Sequence, residues 1–293
     1  MTKNVEVFGQ DPANVPKALL RLTERARAQK GLYWAALIDS AFDYPKAEDA
    51  PYWRHSLNCY GGAPYEGLSK AAPMLMPIDP HNGQSTLTNL LRHCHDRPMI
   101  SFLASRVPLD ELCTEWEPLH WITVVDQQRM LLRLADTRTL SELPRVLTPQ
   151  QWSAIAGSVA EWLILDRGGC LTPLVVPKPL NGAPTRINLD QAQLGALLAA
   201  AEPDNVMSMI STSMSDILPT GMLNSERYAY IALSCEIARK YEVSNWADVV
   251  SFSVAAFLSE GRSIHDEGVA RFLKAKAWED GGLGMALVTE GLI

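Results

Sequence analysis

No stretch of this 293-residue chain approaches the ~20 consecutive apolar residues that a membrane-spanning helix needs. Nor is there a run of lysine and arginine: 26 basic residues stand against 33 acidic ones, for a net charge of -7. A mildly acidic chain repels phosphate backbones, so nucleic acid is not an expected partner. The five cysteines, Cys59, Cys94, Cys113, Cys170 and Cys235, are widely spaced and never form a C-x-x-C pair. That pattern argues against a disulfide framework and a cysteine-rich zinc site, and fits scattered thiols in a reducing compartment. The opening residues Met1 to Glu6 show no basic segment leading into an apolar one, which argues against a secretory leader. A cytoplasmic location without membrane insertion is the expectation.

Chemical motifs are equally scarce. There is no G-x-S-x-G elbow, no G-x-x-x-x-G-K-[ST] phosphate loop, no G-x-G-x-x-G and no H-E-x-x-H. His93-Cys94-His95 is the one local cluster of metal-ligand types. In a helical pattern, residues two apart diverge, so His93 and His95 do not face a common ion. No cofactor and no metal are expected, and the chain reads as a non-enzyme.

What is present is apolar pattern, with 47% hydrophobic residues. Val15, Leu19, Leu22 and Ala26 recur at helical spacing in an opening helix over 11–30, ended by Gly31. Leu32 to Ile38 is a continuous apolar run closed by Asp39, which predicts a buried strand. A short helix is expected over 66–71 and an edge strand over 74–78. Ser85 is placed to cap a helix carrying Leu87, Leu90 and Leu91, and Pro98 ends it before a second buried strand over 99–104. A short helix over 109–116 leads to two apolar runs, 121–125 and 130–134, joined by a turn at 126–129. Thr148-Pro149-Gln150-Gln151 has the signature of a helix start, and 159–165 reads as another strand.

Residues 171–185 hold four prolines and a glycine, the best boundary in the chain. After it the patterns are almost wholly helical: a segment from Asp204 to Ile217, one over 228–241 capped by Ser225, one over 249–258 capped by Ser244, and one over 265–278. The fold class is therefore α+β. A helix within 1–30 precedes a mixed α/β lobe over 31–170, a proline-rich linker over 171–185 and a helical lobe over 186–293. Met207, Met209, Met214 and Met222 fall in that last lobe, either as core filling or as a pliable surface for a partner.

Asp39 and Asp136 each sit just past a predicted strand, where α/β proteins often build sites. Arg133 and Arg138 flank Asp136, so an Arg–Asp pair holding loops together is the simpler role. The alternative is a small hydrolase using Asp39, Asp136 and a histidine.

Several of these segments also carry a resemblance. Leu32 to Phe42 resembles the Y-x-x-I-D-x-A opening of the type VI secretion adaptor chaperones, the Tap or Tec family. Ala72 to Ile78 resembles that family's A-P-Y-L element, and Ser101 to Ser105 its strand ending in serine. Leu132 to Leu140 resembles its R-F-y-D-P-R-v-L element, with Thr137 in place of proline and Leu134-Ala135 in place of an aromatic pair. The resemblance spans about residues 32 to 166 in the family's order. It implies a structural or partner-binding role for Asp39, Ser105, Arg133, Asp136 and Arg138. It also implies a cytoplasmic adaptor that binds a secreted effector, typically a toxin, and loads it onto a VgrG-type spike protein. An immunity protein of a secreted toxin is the alternative of similar size and charge.

Overall fold

The computed structural model describes residues 8–293, so the segment Met1 to Glu6 lies outside the described residues. It divides into two compact units. One comprises Pro12–Leu198; the other joins residues 8–11 with Ala199–Ile293. The first carries the sheet, and the second is helical, as the α+β reading expects.

In the first unit, β1 (Tyr33–Asp39), β2 (Leu57–Asn58), β3 (Pro73–Pro77), β4 (Ile100–Ser105), β7 (Val159–Leu165) and β8 (Leu171–Pro173) form one sheet in the order β2-β3-β1-β4-β7-β8. Every pairing is antiparallel. A separate hairpin joins β5 (Trp121–Thr123) to β6 (Arg129–Leu131). The unbroken apolar run of β1 follows from its position, because the sheet is covered on both faces. Ala35 and Leu37 face one core with Leu75, Leu103 and Trp162. Trp34, Ala36 and Ile38 face the other with Met74, Met76 and Phe102. Successive strand side chains alternate between faces, so a strand buried on both needs apolar residues throughout.

Helices α1 (Val15–Ala28) and α2 (Gln84–His93) contribute to the second of these cores. Asn14 caps α1 by accepting from the Lys17 amide at 3.2 Å. Ala18, Leu22 and Ala26, one turn apart, form its buried stripe. Helix α2 begins at Gln84 after Gly83, one residue before the expected Ser85 cap, and Ser85 makes no capping bond. The other core takes α3 (Leu109–Trp116), α4 (Thr137–Val146) and α5 (Pro149–Ala156). Helix α5 has the capping box its sequence announces: Thr148 Oγ1 accepts from the Gln151 amide at 3.2 Å, and Gln151 Oε1 accepts from the Thr148 amide at 2.9 Å. At the centre Trp162 stacks between Trp116 and Trp152, with ring centroids 5.7 and 6.0 Å away. All three indole N–H groups donate, to Ser101 Oγ, Ile155 O and Val175 O, so these rings bury apolar area without stranding a donor.

The proline-rich stretch 171–185 lies within the first unit. Its opening residues form β8, the Val175 carbonyl accepts from Trp152 Nε1, and the Leu180 amide donates to Ser153 Oγ at 3.0 Å. The division between units falls instead inside α6 (Gln191–Ser213).

The second unit packs α7 (Asn224–Lys240), α8 (Trp246–Leu258), α9 (Arg262–His265), α10 (Glu267–Ala275) and α11 (Leu283–Thr289) around Val206, Ile210, Ile231, Phe252, Leu273 and Leu287. Ser225 lies inside α7 rather than capping it; its amide and hydroxyl both donate to Asp11, at 3.0 and 2.5 Å. Asn245 rather than Ser244 caps α8, accepting from the Ala247 amide at 2.9 Å. The expected helix over 265–278 is split at Asp266, which caps α10 through the Val269 amide. Met207 is core, whereas Met209 and Met214 are exposed. No helix among the described residues is long and apolar enough to cross a membrane.

Candidate functional site

Four of the five motif positions converge where β1 ends. The Asp39 amide donates to Met99 O and the Thr137 amide to Pro98 O, both at 2.9 Å, which brings the end of β1 and the start of α4 to the same lead-in of β4. Asp39 is 2% exposed and Asp136 3% exposed. Burying a carboxylate is costly unless its oxygens find donors. Asp39 Oδ2 accepts from Arg133 Nε at 3.0 Å and Nη2 at 2.7 Å, and Oδ1 from the Ala41 amide at 3.0 Å. Asp136 Oδ1 accepts from the amide and Nε of Arg138 at 3.1 and 3.0 Å, and Oδ2 from its Nη2 at 2.7 Å, so Asp136 also caps α4. Arg133 Nη1 lies 3.6 Å from Asp136 Oδ2 and links the two pairs.

Phe42 sits under both cations, with the Arg133 and Arg138 guanidinium carbons 5.2 and 5.6 Å from its ring centroid. The expected pairing therefore holds for Arg138, whereas Arg133 reaches mainly to Asp39, 94 residues away in sequence. Burial, with the Asp136 carboxylate adding to it, raises the Asp39 pKa above the usual value despite the opposing pull of Arg133 and the Ala41 amide. Two carboxylates and two guanidiniums balance in charge, leaving the Arg133 edge partly open to solvent.

Ser105 lies apart. It ends β4 at the opposite end of the sheet, paired with Tyr33 at the start of β1, about 20 Å from Asp39 by strand rise. It is fully buried and closes a turn with Val107, donating to its carbonyl at 2.7 Å and accepting from its amide at 3.1 Å.

A second polar cluster adjoins the first through Asp43. Asp43 Oδ2 accepts from Tyr52 at 2.7 Å and contacts His93 Nε2 at 2.9 Å, while Oδ1 accepts from Arg97 at 2.8 Å. Burial pushes the Asp43 pKa up, but the bonds from His93, Arg97 and Tyr52 outweigh it and hold the carboxyl at about 2. His93 is thus engaged with Asp43, and His95 is an exposed neighbour of Asp96. No group of three His, Cys, Asp or Glu side chains among the described residues is placed to hold a metal ion.

His120 was not singled out in the sequence. It is fully buried, and neither ring nitrogen has a hydrogen-bond partner among the described residues. The rings of Tyr60 and Tyr65 meet it edge to face, at 5.0 and 6.1 Å. Burial lowers its pKa to about 4. The folded state therefore holds a neutral imidazole, while the unfolded chain takes up a proton near 6.5. The stability this contributes is complete above the unfolded value and declines as pH falls towards the folded one. The wild-type chain should lose up to ~1.4 kcal/mol per pH unit through this group between about pH 6.5 and 4. H120F should flatten that part of the profile in denaturant titrations; an unchanged slope would show that other groups set it.

Beside this histidine, a hollow of about 440 Å³ is lined by residues that include Tyr65, Glu117, Pro118, Trp121, Arg129 and Arg186. The Arg129 guanidinium carbon lies 5.0 Å from the Trp121 ring centroid, and Trp121 stacks at 6.2 Å on Tyr65. Neither Arg129 nor Arg186 has a carboxylate partner among the described residues.

Residues 32–154 match the family described as Domain of unknown function (DUF4123). The match covers β1 to β6, the Asp–Arg clamp and Ser105. No curated protein and no solved structure matches the chain.

Proposed function

We propose that this chain is a non-catalytic adaptor chaperone of type VI secretion that holds a secreted effector in the cytoplasm and passes it to a VgrG-type spike protein. The observation that carries this reading is the overlap of the family match with the resemblance, together with the geometry of the motif residues. The segment matched by the family model, 32–154, lies within the stretch of about 32 to 166 on which the resemblance to such adaptors rests, and the motif residues Asp39, Arg133, Asp136 and Arg138 assemble into one clamp. The clamp favours scaffolding over catalysis. Both carboxylates are engaged by guanidinium and amide donors and closed to solvent, and His93 serves Asp43 rather than either of them. A hydrolase would need one of these groups free to move a proton.

The hollow between Tyr65, Trp121, Arg129 and Arg186 is the partner contact that best fits this role. An aromatic floor and two unpaired guanidiniums against one Glu117 suit a partner segment carrying a carboxylate.

The test is co-purification of the tagged chain from its own host. One secreted toxin together with a VgrG-type protein should be recovered, and deletion of the gene should abolish export of that toxin alone. R129E combined with R186E should reduce recovery of the partner at unchanged thermal stability. If the chain comes out alone and export is unaffected, the adaptor reading fails. If recipient cells instead lose protection from the toxin, the chain is an immunity protein.

A further inference from the structure

Two of the five cysteines that look scattered in sequence meet in space. Cys59 directly follows β2 at the sheet edge, its amide donating to Pro73 O at 3.0 Å. Cys113 lies on α3. Their Sγ atoms are 2.9 Å apart, against ~2.05 Å in a formed disulfide. Closing that gap asks for less than an ångström of movement between a two-residue edge strand and a helix of the same unit. The two thiols differ in the way such a pair requires. Cys113 is partly exposed, and Cys59 is buried behind it. Either sulfur can donate across this contact; donation from the inner Cys59 to the more accessible Cys113 favours thiolate at the outer sulfur and thiol at the inner one. Thiolate character and access together decide which cysteine attacks. Cys94 and Cys235 are buried and Cys170 is exposed, and none of the three has a second cysteine sulfur within hydrogen-bonding reach among the described residues.

We propose that Cys59 and Cys113 form a redox-active dithiol, closed to an intrachain disulfide by small-molecule disulfides of the glutathione type. The Cys113 thiolate attacks one sulfur of the oxidant. The oxidant's S–S bond breaks, one glutathione leaves as thiolate, and Cys113 carries the other as a mixed disulfide. The Cys59 thiol gives its proton to the departed thiolate, and its sulfur attacks the Cys113 sulfur. The mixed S–S bond breaks, and the second glutathione leaves and takes up a proton from water, replacing the one that Cys113 released on ionising. Two protein thiols are oxidised by two electrons, and one glutathione disulfide is reduced to two thiols.

The cross-link would tie the sheet edge to α3 across a separation of 54 residues, all inside the family-matched segment. It would also anchor the start of the loop that carries Tyr60 and Tyr65, the rings packed against His120 and the aromatic hollow. The oxidation state of the pair thus sets how firmly that wall is held.

The experiment is oxidation of the folded full-length chain carrying C170S with glutathione disulfide, followed by acid quench, denaturation, alkylation and peptide mapping. The expected product has lost two hydrogens, links the Cys59 and Cys113 peptides, leaves Cys94 and Cys235 alkylated, melts at a higher temperature than the reduced form, and reverts with dithiothreitol. In C59S the reaction should stop at a glutathione adduct on Cys113. The proposal is overturned if Cys113 keeps a stable adduct while Cys59 is present. It is equally overturned if both thiols remain alkylatable after prolonged exposure of a chain that is still folded. Neither outcome depends on the C59S variant folding, nor on the adaptor reading.

Discussion

R133M is expected to destabilise the first unit by about 3 kcal/mol, because it strands a buried carboxylate whose main partner it removes. Methionine keeps much of the stem and its apolar contact with Phe42, so the loss isolates the guanidinium. Asp39 is then left with the Ala41 amide alone. Arg133 itself is 41% exposed, which places the figure at the low end for a broken buried pair. R133K should recover part of the loss, since ammonium restores charge but not the two-pronged contact. D39N placed in the R133M background should cost less than the two single changes summed, since the neutral amide no longer needs a cation.

The effect of pH has a definite sign. Asp39 already has a folded pKa above its unfolded value of 3.8, through burial first, and removing Arg133 takes away the largest opposing influence. Between those two values the folded state binds more protons than the unfolded one, so stability falls as pH rises through that window. The deficit of R133M relative to wild type should therefore shrink as pH is lowered from 7 towards about 4. Urea titrations followed by tryptophan fluorescence would measure both. A deficit below about 1 kcal/mol, or one that widens in acid, would show that the clamp is not holding the strand end.

What the sequence disclosed about this clamp and what it hid have the same physical origin. The Arg138–Asp136 pair is local, two residues apart, and is legible from charge spacing, whereas the cap that Asp136 gives α4 is not. The stronger partner of Arg133 is 94 residues away and depends on β1 and β4 pairing to bring Met99 beside Asp39. Nothing in linear spacing distinguishes Asp39 from Asp136 as the acceptor. Long-range pairing also hides the dithiol: Cys59 and Cys113 become neighbours only once α3 packs under the sheet edge. His120 gave no signal at all, because its burial is decided by Tyr60 and Tyr65, which arrive from a distant loop.

Helix α4 is a different kind of miss. Leu140, Leu143 and Leu147 are buried at helical spacing, so the periodic signal was there. Pro144 inside it argues for a break: it has no N–H to give the Leu140 carbonyl, and the helix runs only two residues further, to Val146. The strands were easy for the opposite reason. A sheet covered on both faces favours continuous apolar runs: that of β1 is unbroken up to Asp39, and those of β4 and β7 are interrupted internally only by the buried Ser101 and Glu161.

The helical unit was legible in outline but not in what fastens its end, and that fastening carries the other large effect. Helix α11 starts after Gly281 and Gly282, and Gly282 at its N-cap has no side chain to accept from the exposed first-turn amides. Asp248, on the first turn of α8 and 1% exposed, supplies the missing acceptor from another helix. Its Oδ1 accepts from the Leu283 amide at 2.9 Å, and its Oδ2 from the Gly281 amide at 3.0 Å and Trp278 Nε1 at 3.1 Å. The carboxylate also lies at the positive end of α11, where negative charge is favoured. D248A removes all three bonds and leaves the buried Leu283 amide without its acceptor, while the Trp278 and Gly281 donors can turn to water, for an expected loss of about 2–3 kcal/mol. D248N keeps the shape but only one acceptor oxygen, so its loss should be about half as large. Because Leu283 and Leu287 are fully buried, the freed helix would expose apolar surface rather than merely fray. Hydrogen exchange should show amides 281–289 losing protection in D248A while the amides of β1 and β4 keep theirs. Retained protection over 281–289 would mean that apolar packing alone holds the last helix, and that the buried carboxylate is dispensable there.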